Sequence, residues 1–561
     1  MTQMNDNIPS FNLWTEPWIA LEDARGELTH HSIRDTLVSA HEYVAIYDPS
    51  PLVVVGIHRV LTAILQDVQS PQENDDLNQL WAHGSFSVDA IDRFGTQYAN
   101  RFDLFSEDRP FLQSADLPLT IGAKELEDKE SVARLFADAP TGEEVTHYHH
   151  IRLDEHIYCP ATAAMGLLTI PPFSISGGRG YIPSINGKPP IYVMPSGKTL
   201  FEILSASLLT KTLALLPPEP LNGDLAWWRR DTPIDVVKSS RKEAETQLTA
   251  VGYLHGLLFP SRRVRLFPEK REVFCTRCGK FSSWVVRKME YSNGESRRSD
   301  APFWRDPFVA YLKPISKAQR KSSSKTGQGI KGAPDAIRPM LGKAAWREFT
   351  GLFLQSKDER TLRPSFLGQL LSLKTGTEAS TLTFRCVALQ TNPRLQAKIH
   401  EWLDFGFVIP PSLLQDEDGA FWTEQALSFT TECGKVINAV FYDTFRRKAQ
   451  DGKRAKKSQD ERFKRLKDRL EADYWAVLAD KFRQFVLDLD DRAQQQQTLE
   501  GWHDTVVREA QNAFDSAADA TGDDGRTLLE IERGKATCHS ALFKLRSKSN
   551  QKEDDDAQKR T

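Results

Sequence analysis

The chain has 561 residues and balances 73 lysines and arginines against 76 aspartates and glutamates, so its formal net charge is −3. This balance excludes a histone-like nucleic-acid binder and requires any basic surface to be local. Its six cysteines are too few for a disulfide scaffold. No apolar run approaches the length of a membrane-spanning helix, and residues 1–12 lack the features of a signal peptide. We therefore expect a cytoplasmic protein without a membrane partner.

The first 410 residues are predicted to form a large mixed region of helices and strands. Short alternating runs between proline and glycine residues predict a hairpin of strands at 18–21 and 28–33. Buried helices are predicted at 53–66 and 200–216. Further strands are predicted at 263–267, 272–275 and 282–288. The expected fold class is α+β, with a first domain at 1–408.

The absence of proline after Pro411 predicts a change of architecture, because proline disrupts helix interiors. Beyond this point apolar residues recur at three- and four-residue steps, the pattern of helices with one buried face. The longest such stripe comprises Phe463, Leu466, Leu470, Tyr474, Leu478, Phe485 and Leu489. Breaks at 451–452, 494–497 and 522–525 separate four helices. We predict a four-helix bundle at 409–548 and a disordered acidic tail at 549–561.

Cys275 and Cys278 form a CxxC motif followed by glycine, between two predicted strands. Such a knuckle points two thiolates at one place, as in zinc ribbons, but a structural zinc site needs four ligands. His156 and Cys159 are the best partners because their spacing mimics a second knuckle. Two interpretations stay open: a structural zinc held by Cys275, Cys278, Cys159 and His156, or a metal-free, reduced turn.

A second polar cluster precedes this motif. It comprises His147, His149, His150, Asp154, Glu155 and His156. Such a cluster is compatible with a metal-dependent nuclease or hydrolase, or with a polar surface loop. The hydrolase motifs HExxH and GxSxG and the nucleotide-binding motif GxxxxGK[ST] are absent from the sequence. The nuclease hypothesis requires chelator-sensitive activity in the isolated chain.

Gly177, Gly178, Arg179 and Gly180 form a glycine-rich stretch with one arginine. Because glycine has no Cβ, such a stretch lets the backbone approach a phosphate or a DNA minor groove, although a simple turn has the same composition. Basic blocks lie at 261–271, 311–332 and 446–469, and the second is predicted to be a loop. Each block alone is typical of a solvated surface, but the three together predict a local nucleic-acid track.

Short motifs also occur in an order that is typical of one known family. They lie at 11–19 (FNLWTEPWI), 50–52 (SPL) with 58–59 (HR), 109–113 (RPFLQ), 257–266 (LLFPSRRVRL), and 396–399 (QAKI) with Trp402. Together with the CxxC motif and the predicted bundle, they resemble the CasA family. Its members are the large subunits of Cascade, the type I-E CRISPR surveillance complex. The resemblance covers essentially the whole chain.

The resemblance implies a non-catalytic subunit, not an enzyme. Members of this family lie at the 5′-handle end of the guide RNA, beside the other Cascade subunits. They recognise the protospacer-adjacent motif in double-stranded target DNA and initiate strand separation. They also recruit a helicase–nuclease for antiviral defence. Duplex DNA, the guide RNA 5′ handle, the other Cascade subunits and the helicase–nuclease are therefore the implied partners.

The resemblance also implies roles for particular residues. The family's glycine loop corresponds to Gly177, Gly178, Arg179 and Gly180, and its glutamine wedge to Gln396. A glutamine beside the first target base pair would help to separate it. A basic finger is expected among Lys288, Arg297 and Arg298. The family's zinc lies between two knuckles, but here Thr162 stands where the first knuckle has its second cysteine.

Overall fold

The chain folds into two compact units. The computed structural model describes residues 8–137, 139, 156–175, 181–214, 226–230, 248–298, 300–313, 333–340, 344–355, 361–392, 399–416, 418–446, 457–522 and 525–558. Unit 1 comprises Met1–Leu341 and Arg360–Gly406, and unit 2 comprises Gly342–Glu359 and Phe407–Thr561. Unit 2 therefore takes a segment from the middle of the chain that the predicted boundary at 408 assigns to the first domain.

The strands in the described part of the chain are β1 (Ile19–Glu22), β2 (Leu28–His31), β3 (Ala45–Ile46), β4 (Glu130–Ser131), β5 (Ile191–Ser196), β6 (Arg262–Phe274), β7 (Phe281–Asn293), β8 (Tyr311–Leu312), β9 (Asp335–Ala336), β10 (Thr361–Leu362), β11 (Leu382–Thr391) and β12 (Ile399–Ile409). They form four three-stranded sheets, with the orders β2-β1-β3, β4-β7-β6, β12-β11-β5 and β10-β8-β9. The predicted hairpin near the N-terminus is confirmed, since β1 and β2 pair antiparallel.

The longest strands, β6 and β7, form an antiparallel hairpin that runs from the Arg262–Asn293 pair to the Phe274–Phe281 pair. The strands predicted separately at 263–267 and 272–275 are both parts of β6. Its register shifts between Leu266 and Pro268 and again before Val273. Proline cannot donate a ladder hydrogen bond, so an irregularity beside Pro268 allows the strand to continue through it.

The core of unit 1 is built around the helix Pro51–Gln69, in which every residue from Pro51 to Gln66 is buried. It is long and apolar enough to span a membrane, but 89% of its most apolar window is buried inside the protein, as in a core helix. It packs closely on the helix Pro160–Phe173, because a Cβ on Gly56 would lie 2.6 Å from the carbonyl oxygen of Leu168.

Shorter helices also occur among the described residues of unit 1. They are Ile33–Val38, Asn74–His83, Val88–Tyr98, Ala123–Glu127, Leu200–Ser205, Lys211–Ala214, Tyr253–Leu257, Ser365–Leu371 and Lys374–Glu378. The single helix predicted at 200–216 is therefore wrong: residues 206–210 separate two short helices. The apolar run there is buried by the tertiary fold and not by one continuous helix, an ambiguity that periodicity alone does not resolve.

Unit 2 contains the predicted four-helix bundle, preceded by the short helices Phe349–Phe353 and Pro411–Gln415. The bundle helices are Gly419–Phe445, Lys457–Asp488, Gln495–Asp519 and Gly525–Gln558. Their contacts show antiparallel neighbours. Phe441, near the end of the first helix, packs on Phe463, near the start of the second. In the last two helices His539 contacts Asp515 while the later residue Arg546 pairs with the earlier residue Asp504. The last helix continues to Gln558, where the sequence predicted a disordered tail. Residues 549–558 contain no proline or glycine, the two residues that most disfavour a helix, so the helix can continue through them.

Candidate nucleic-acid interface and metal centre

Several residues selected from the sequence lie outside the described residues. They are Gly177, Gly178, Arg179 and Gly180, the wedge residue Gln396, the histidine cluster at 147–155, and most of the basic block at 311–332. The structure does describe the chain on both sides of residues 177–180, which we call the glycine segment. The chain leaves the helix Pro160–Phe173 through Ser174 and Ile175, and it is described again from Tyr181.

The two ends of the glycine segment are tied together by the main chain and by one buried arginine. The backbone N–H of Ser184 donates to the carbonyl oxygen of Ser174 at 3.0 Å. The guanidinium of Arg262, on β6, donates to the carbonyl oxygens of Ile175 at 2.8 Å and Ile182 at 2.5 Å. Arg262 is only 2% exposed. Charge-assisted hydrogen bonds from one rigid fork therefore hold both ends of the segment.

Strand β7 also binds the residues that follow the glycine segment. The side chain of Asn293 accepts a hydrogen bond from the backbone N–H of Ile182 at 3.0 Å, and the hydroxyl of Tyr181 donates to the carbonyl oxygen of Tyr291 at 3.2 Å. The Arg262 guanidinium lies 5.1 Å from the Tyr181 ring centroid and 5.8 Å from that of Tyr291. Arg262 was not predicted as an anchor from the sequence. The only signal was its position in the motif LLFPSRRVRL.

Further buried charged side chains hold the residues that follow the glycine segment. The amide of Asn186 donates to Asp306 at 2.9 Å, and Asp306 forms a fully buried ion pair with Arg59 at 2.9 Å. Arg297 donates to the carbonyl oxygen of Ile185 at 2.7 Å. Burial lowers the pKa of Arg297 to about 10, so it stays protonated at neutral pH. Arg297 thus lies inside the protein as a main-chain anchor and not at the surface.

The other two candidates for a basic finger are nearer the surface. The ammonium of Lys288 donates to the carbonyl oxygens of Glu127 at 2.9 Å and Lys129 at 3.2 Å. Arg298 is half-exposed and pairs with Asp300 at 2.8 Å. An exposed ion pair of this kind contributes only about 0–1 kcal/mol to stability, so Arg298 can exchange its partner for another anion at little cost.

Three cysteines meet on the other end of the β6–β7 hairpin. Cys275 and Cys278 lie in its turn, where Gly279 adopts the left-handed conformation (φ +69°) and donates its N–H to the carbonyl oxygen of Cys275. Cys159 precedes the helix Pro160–Phe173 as its N-cap residue. Tyr158 pairs with Val286 of β7 through two main-chain hydrogen bonds of 2.8 and 2.9 Å, which bring Cys159 to the turn.

The geometry of the three thiols fits a tetrahedral metal ion. All three sulfur atoms lie within 4.8 Å of one another, and those of Cys159 and Cys278 are 3.7 Å apart. Two thiolates bound at 2.3 Å to a tetrahedral zinc would be about 3.8 Å apart. The hydroxyl of Thr162 lies 3.3 Å from the sulfur atoms of both Cys159 and Cys275, so it borders the fourth position. His156 is not in this cluster, and its Nδ1 lies 3.3 Å from the Tyr158 hydroxyl.

The cysteine cluster also favours one deprotonated sulfur. Hydrogen bonds from Cys159 and then Cys278 lower the pKa of the Cys275 thiol far below its usual value. The hydrogen bond to Cys275 raises the pKa of Cys159. The position of Cys159 at a helix N-terminus, where the first N–H groups carry partial positive charge, suits an anionic ligand set as well. The deprotonated sulfur of Cys275 therefore suits a cation.

Comparison with known proteins identifies the family. A family profile described as CRISPR-associated protein Cse1 matches residues 12–513 of this chain. The CasA/Cse1 protein of Thermus thermophilus is 30% identical over 276 residues, 47% of this chain and 50% of that relative, so the match spans about half of its length. The crystal structure of CasA from Thermus thermophilus has a TM-score of 0.73 at 23% identity and covers 96% of this chain and 100% of that one.

A further chain of the same fold comes from a structure described as a CRISPR RNA-guided surveillance complex. Its TM-score is 0.65 at 19% identity, with 95% of this chain and 100% of that chain covered. At these identities the two solved structures show the shared fold, a mixed region followed by a helical bundle. The family profile, in contrast, extends over most of the sequence. This chain belongs to the CRISPR-associated protein Cse1 family.

Proposed function

We propose that this chain is the non-catalytic large subunit of an RNA-guided Cascade complex, which reads the protospacer-adjacent motif in duplex DNA and initiates strand separation. The observation that carries the proposal is the family match over residues 12–513. A relative of the same fold belongs to a structure described as a CRISPR RNA-guided surveillance complex. The guide RNA 5′ handle, the other Cascade subunits and a helicase–nuclease effector are the partners that this role requires.

Motif reading is proposed to depend on Gly177, Gly178, Arg179 and Gly180. A backbone without Cβ atoms can enter the minor groove, where the base-pair pattern is degenerate and several related motifs are tolerated. The anchoring by Arg262 supports this role, because a segment held at both ends loses less conformational freedom when it binds. Arg298 is the best candidate for the basic finger, since Arg297 is buried and Lys288 is engaged by carbonyl oxygens.

Zinc is proposed as a structural ion of the hairpin turn. Cys159, Cys275 and Cys278 would hold it, with the Thr162 hydroxyl or a water molecule at the fourth position. When bound, zinc would supply folding free energy rather than catalysis, because a site with three thiolates joins two separate segments of the chain. The ion would connect the hairpin turn to the helix that leads into the glycine segment.

The test of motif reading uses the assembled complex with two DNA substrates. We expect Arg179→Glu to weaken binding to duplex DNA that carries the motif, because the new negative charge meets phosphates. Pairing of a single-stranded target with the guide should be unchanged. Electrophoretic mobility shifts with both substrates measure the two affinities. An equal loss on both substrates would indicate misfolding and would contradict a role in motif reading.

Strand opening is tested separately with Gln396→Ala. We expect this variant to assemble normally but to open the target poorly, because the wedge supplies part of the unpairing energy. Permanganate footprinting of the displaced strand reports the opening. A normal footprint would remove Gln396 from this role. Purification of the tagged chain from its host, with sequencing of bound RNA, tests the assembly itself: uniform short RNAs with repeat-derived ends are expected.

A further inference from the structure

Two phenylalanine rings project into solvent from the tip of the β6–β7 hairpin. Phe274 is 63% exposed and Phe281 is 59% exposed, although each ring is large and apolar. The two residues are cross-strand partners, and their ring centroids are 5.4 Å apart with an interplanar angle of 72°. Each ring packs against the other. Most of the surface of both rings remains available to another molecule.

The backbone that carries these rings is fixed. The N–H of Cys275 donates to the carbonyl oxygen of Lys280 at 2.8 Å, and that of Thr276 donates to the carbonyl oxygen of Ile157 at 2.8 Å. The guanidinium of Arg277 binds the carboxylate of Asp48 with distances of 2.6 and 3.1 Å. Because the turn is already ordered, stacking of a ligand on the rings would cause little further loss of its conformational entropy.

Three cationic residues lie close to the two phenylalanines in the sequence of the hairpin. Lys270, Arg271 and Lys280 are exposed, and none of them forms an ion pair with any residue that the structure describes. Further down the same hairpin the arginines do have acidic partners: Arg263 pairs with Asp116, and Arg287 pairs with Glu269 at 2.9 Å. The tip has one exposed acid of its own, Glu272. Its cations are thus free to bind an external anion.

Exposed aromatic faces beside unpaired cations match one class of ligand. Unpaired nucleobases stack on aromatic rings, while their phosphates bind lysine and arginine side chains. A purely apolar partner would not need the cations, and an acidic peptide would not need two open rings. We propose that the tip formed by Phe274 and Phe281 with Lys270, Arg271 and Lys280 binds unpaired bases of a single-stranded nucleic acid. The two phenylalanines lie at the opposite end of the hairpin from Arg262 and Asn293, and binding at them does not depend on motif reading.

The test measures binding of short labelled oligonucleotides to the full chain. The probes are fluorescein-labelled oligouridylate and oligothymidylate, which distinguish RNA from DNA as the source of the bases. In Phe274→Leu/Phe281→Leu both side chains stay apolar but lose their aromatic faces. We expect fluorescence anisotropy to show a loss of affinity of roughly tenfold or more for at least one probe. Phe543→Leu, at a phenylalanine that is 71% exposed in the bundle, is the matched control and should bind as wild type.

Two further measurements separate stacking from indirect effects. Irradiation of 5-iodouracil-substituted probes should crosslink the base to Phe274 or Phe281, which mass spectrometry of the digested chain identifies. The melting temperature and the metal content of the double variant should equal those of wild type, since both rings are exposed. Unchanged affinity in the double variant, or crosslinks confined to other residues, would overturn the proposal and leave the pair as cross-strand packing or as a contact for a protein.

Discussion

Burial changes the role of an arginine. Three arginines of β6 occur within four residues, but Arg262 and Arg265 are at most 2% exposed and Arg263 pairs with Asp116. Arg265 donates to the carbonyl oxygens of Ser106 and Glu107 at 3.1 and 3.4 Å, and burial lowers its pKa to about 10. A guanidinium has five donors and no acceptor, so main-chain carbonyl oxygens are suitable partners for it. These side chains stabilise the fold and are not available to phosphates.

His58 shows the same effect for a group that titrates. Its Nε2 lies 2.9 Å from the Ser207 hydroxyl oxygen in the core of unit 1. Burial, and then the neighbouring charge of Arg59, lower its pKa from 6.5 to about 3. The folded chain therefore keeps His58 neutral between these values, while the unfolded chain protonates it. Protons then favour the unfolded state, so the free energy of unfolding should fall as the pH falls from about 6.5 towards 3.

We predict that His58→Gln makes this acid destabilisation shallower, because glutamine can bond Ser207 without titrating. The slope should decrease by up to about 1.4 kcal/mol per pH unit. Urea denaturation at several values between about pH 6.5 and pH 4.5 measures it. His83→Gln, at an exposed histidine, is the control. Since the slope is compared rather than the absolute stability, a general loss of stability does not obscure the result; parallel profiles would contradict the prediction.

At the scale of elements, the β6–β7 hairpin connects both candidate sites. One end of it anchors the glycine segment through Arg262 and Asn293, and the other end carries Cys275 and Cys278. The helix Pro160–Phe173 makes the same connection, since Cys159 precedes it and Ile175 follows it. A metal ion at the cysteines would therefore hold two elements that also define the ends of the glycine segment.

Cys275→Ser tests this arrangement. We predict that it lowers both the zinc content and the melting temperature, because metal binding contributes to folding free energy. Thr162→Cys should have the opposite effect: its sulfur would complete four thiolates and retain zinc against a stronger chelator. Elemental mass spectrometry and chelator competition measure both variants, with Cys386→Ser, at a buried cysteine of β11, as the control. A wild-type chain that binds no zinc would contradict the prediction.

At the scale of the whole molecule, charge is distributed unevenly. The net charge is −3, yet the basic block at 261–271 is mostly internal, with Lys270 and Arg271 as its exposed cations. The block at 446–469 differs, because Lys464 and Arg465 are exposed on the second bundle helix. Nucleic-acid affinity in a chain of this kind depends on few side chains and should be sensitive to salt.

We predict that Lys464→Ala/Arg465→Ala reduces the salt dependence of duplex DNA binding in the assembled complex. Each lost phosphate contact should lower the slope of log K against log salt by about one. Lys435→Ala, at an exposed lysine of the first bundle helix, is the control and should leave the slope unchanged. Filter binding over a series of salt concentrations gives the slopes. Equal slopes for wild type and the double variant would place the phosphate contacts elsewhere.

The sequence by itself determined the elements whose causes are local. The absence of proline after Pro411 and a period near 3.6 residues are sufficient to predict four helices, and two short strand-forming runs on either side of the turn at 24–26 are sufficient to predict the β1–β2 hairpin. The CxxC motif with its glycine likewise predicted a turn with two thiols. In each case the residues that determine the local structure are close together in the sequence, so the sequence alone is sufficient to predict it.

Only the tertiary structure decided which distant residues meet. It brought Cys159 and Thr162 to a turn more than a hundred residues away, left His156 outside the cluster, and placed Arg262 and Arg297 inside against main-chain carbonyls. It also assigned Gly342–Glu359 to unit 2. Whether an arginine faces phosphate or carbonyl depends on the burial and hydrogen-bond partners that long-range packing supplies, and no local pattern encodes these.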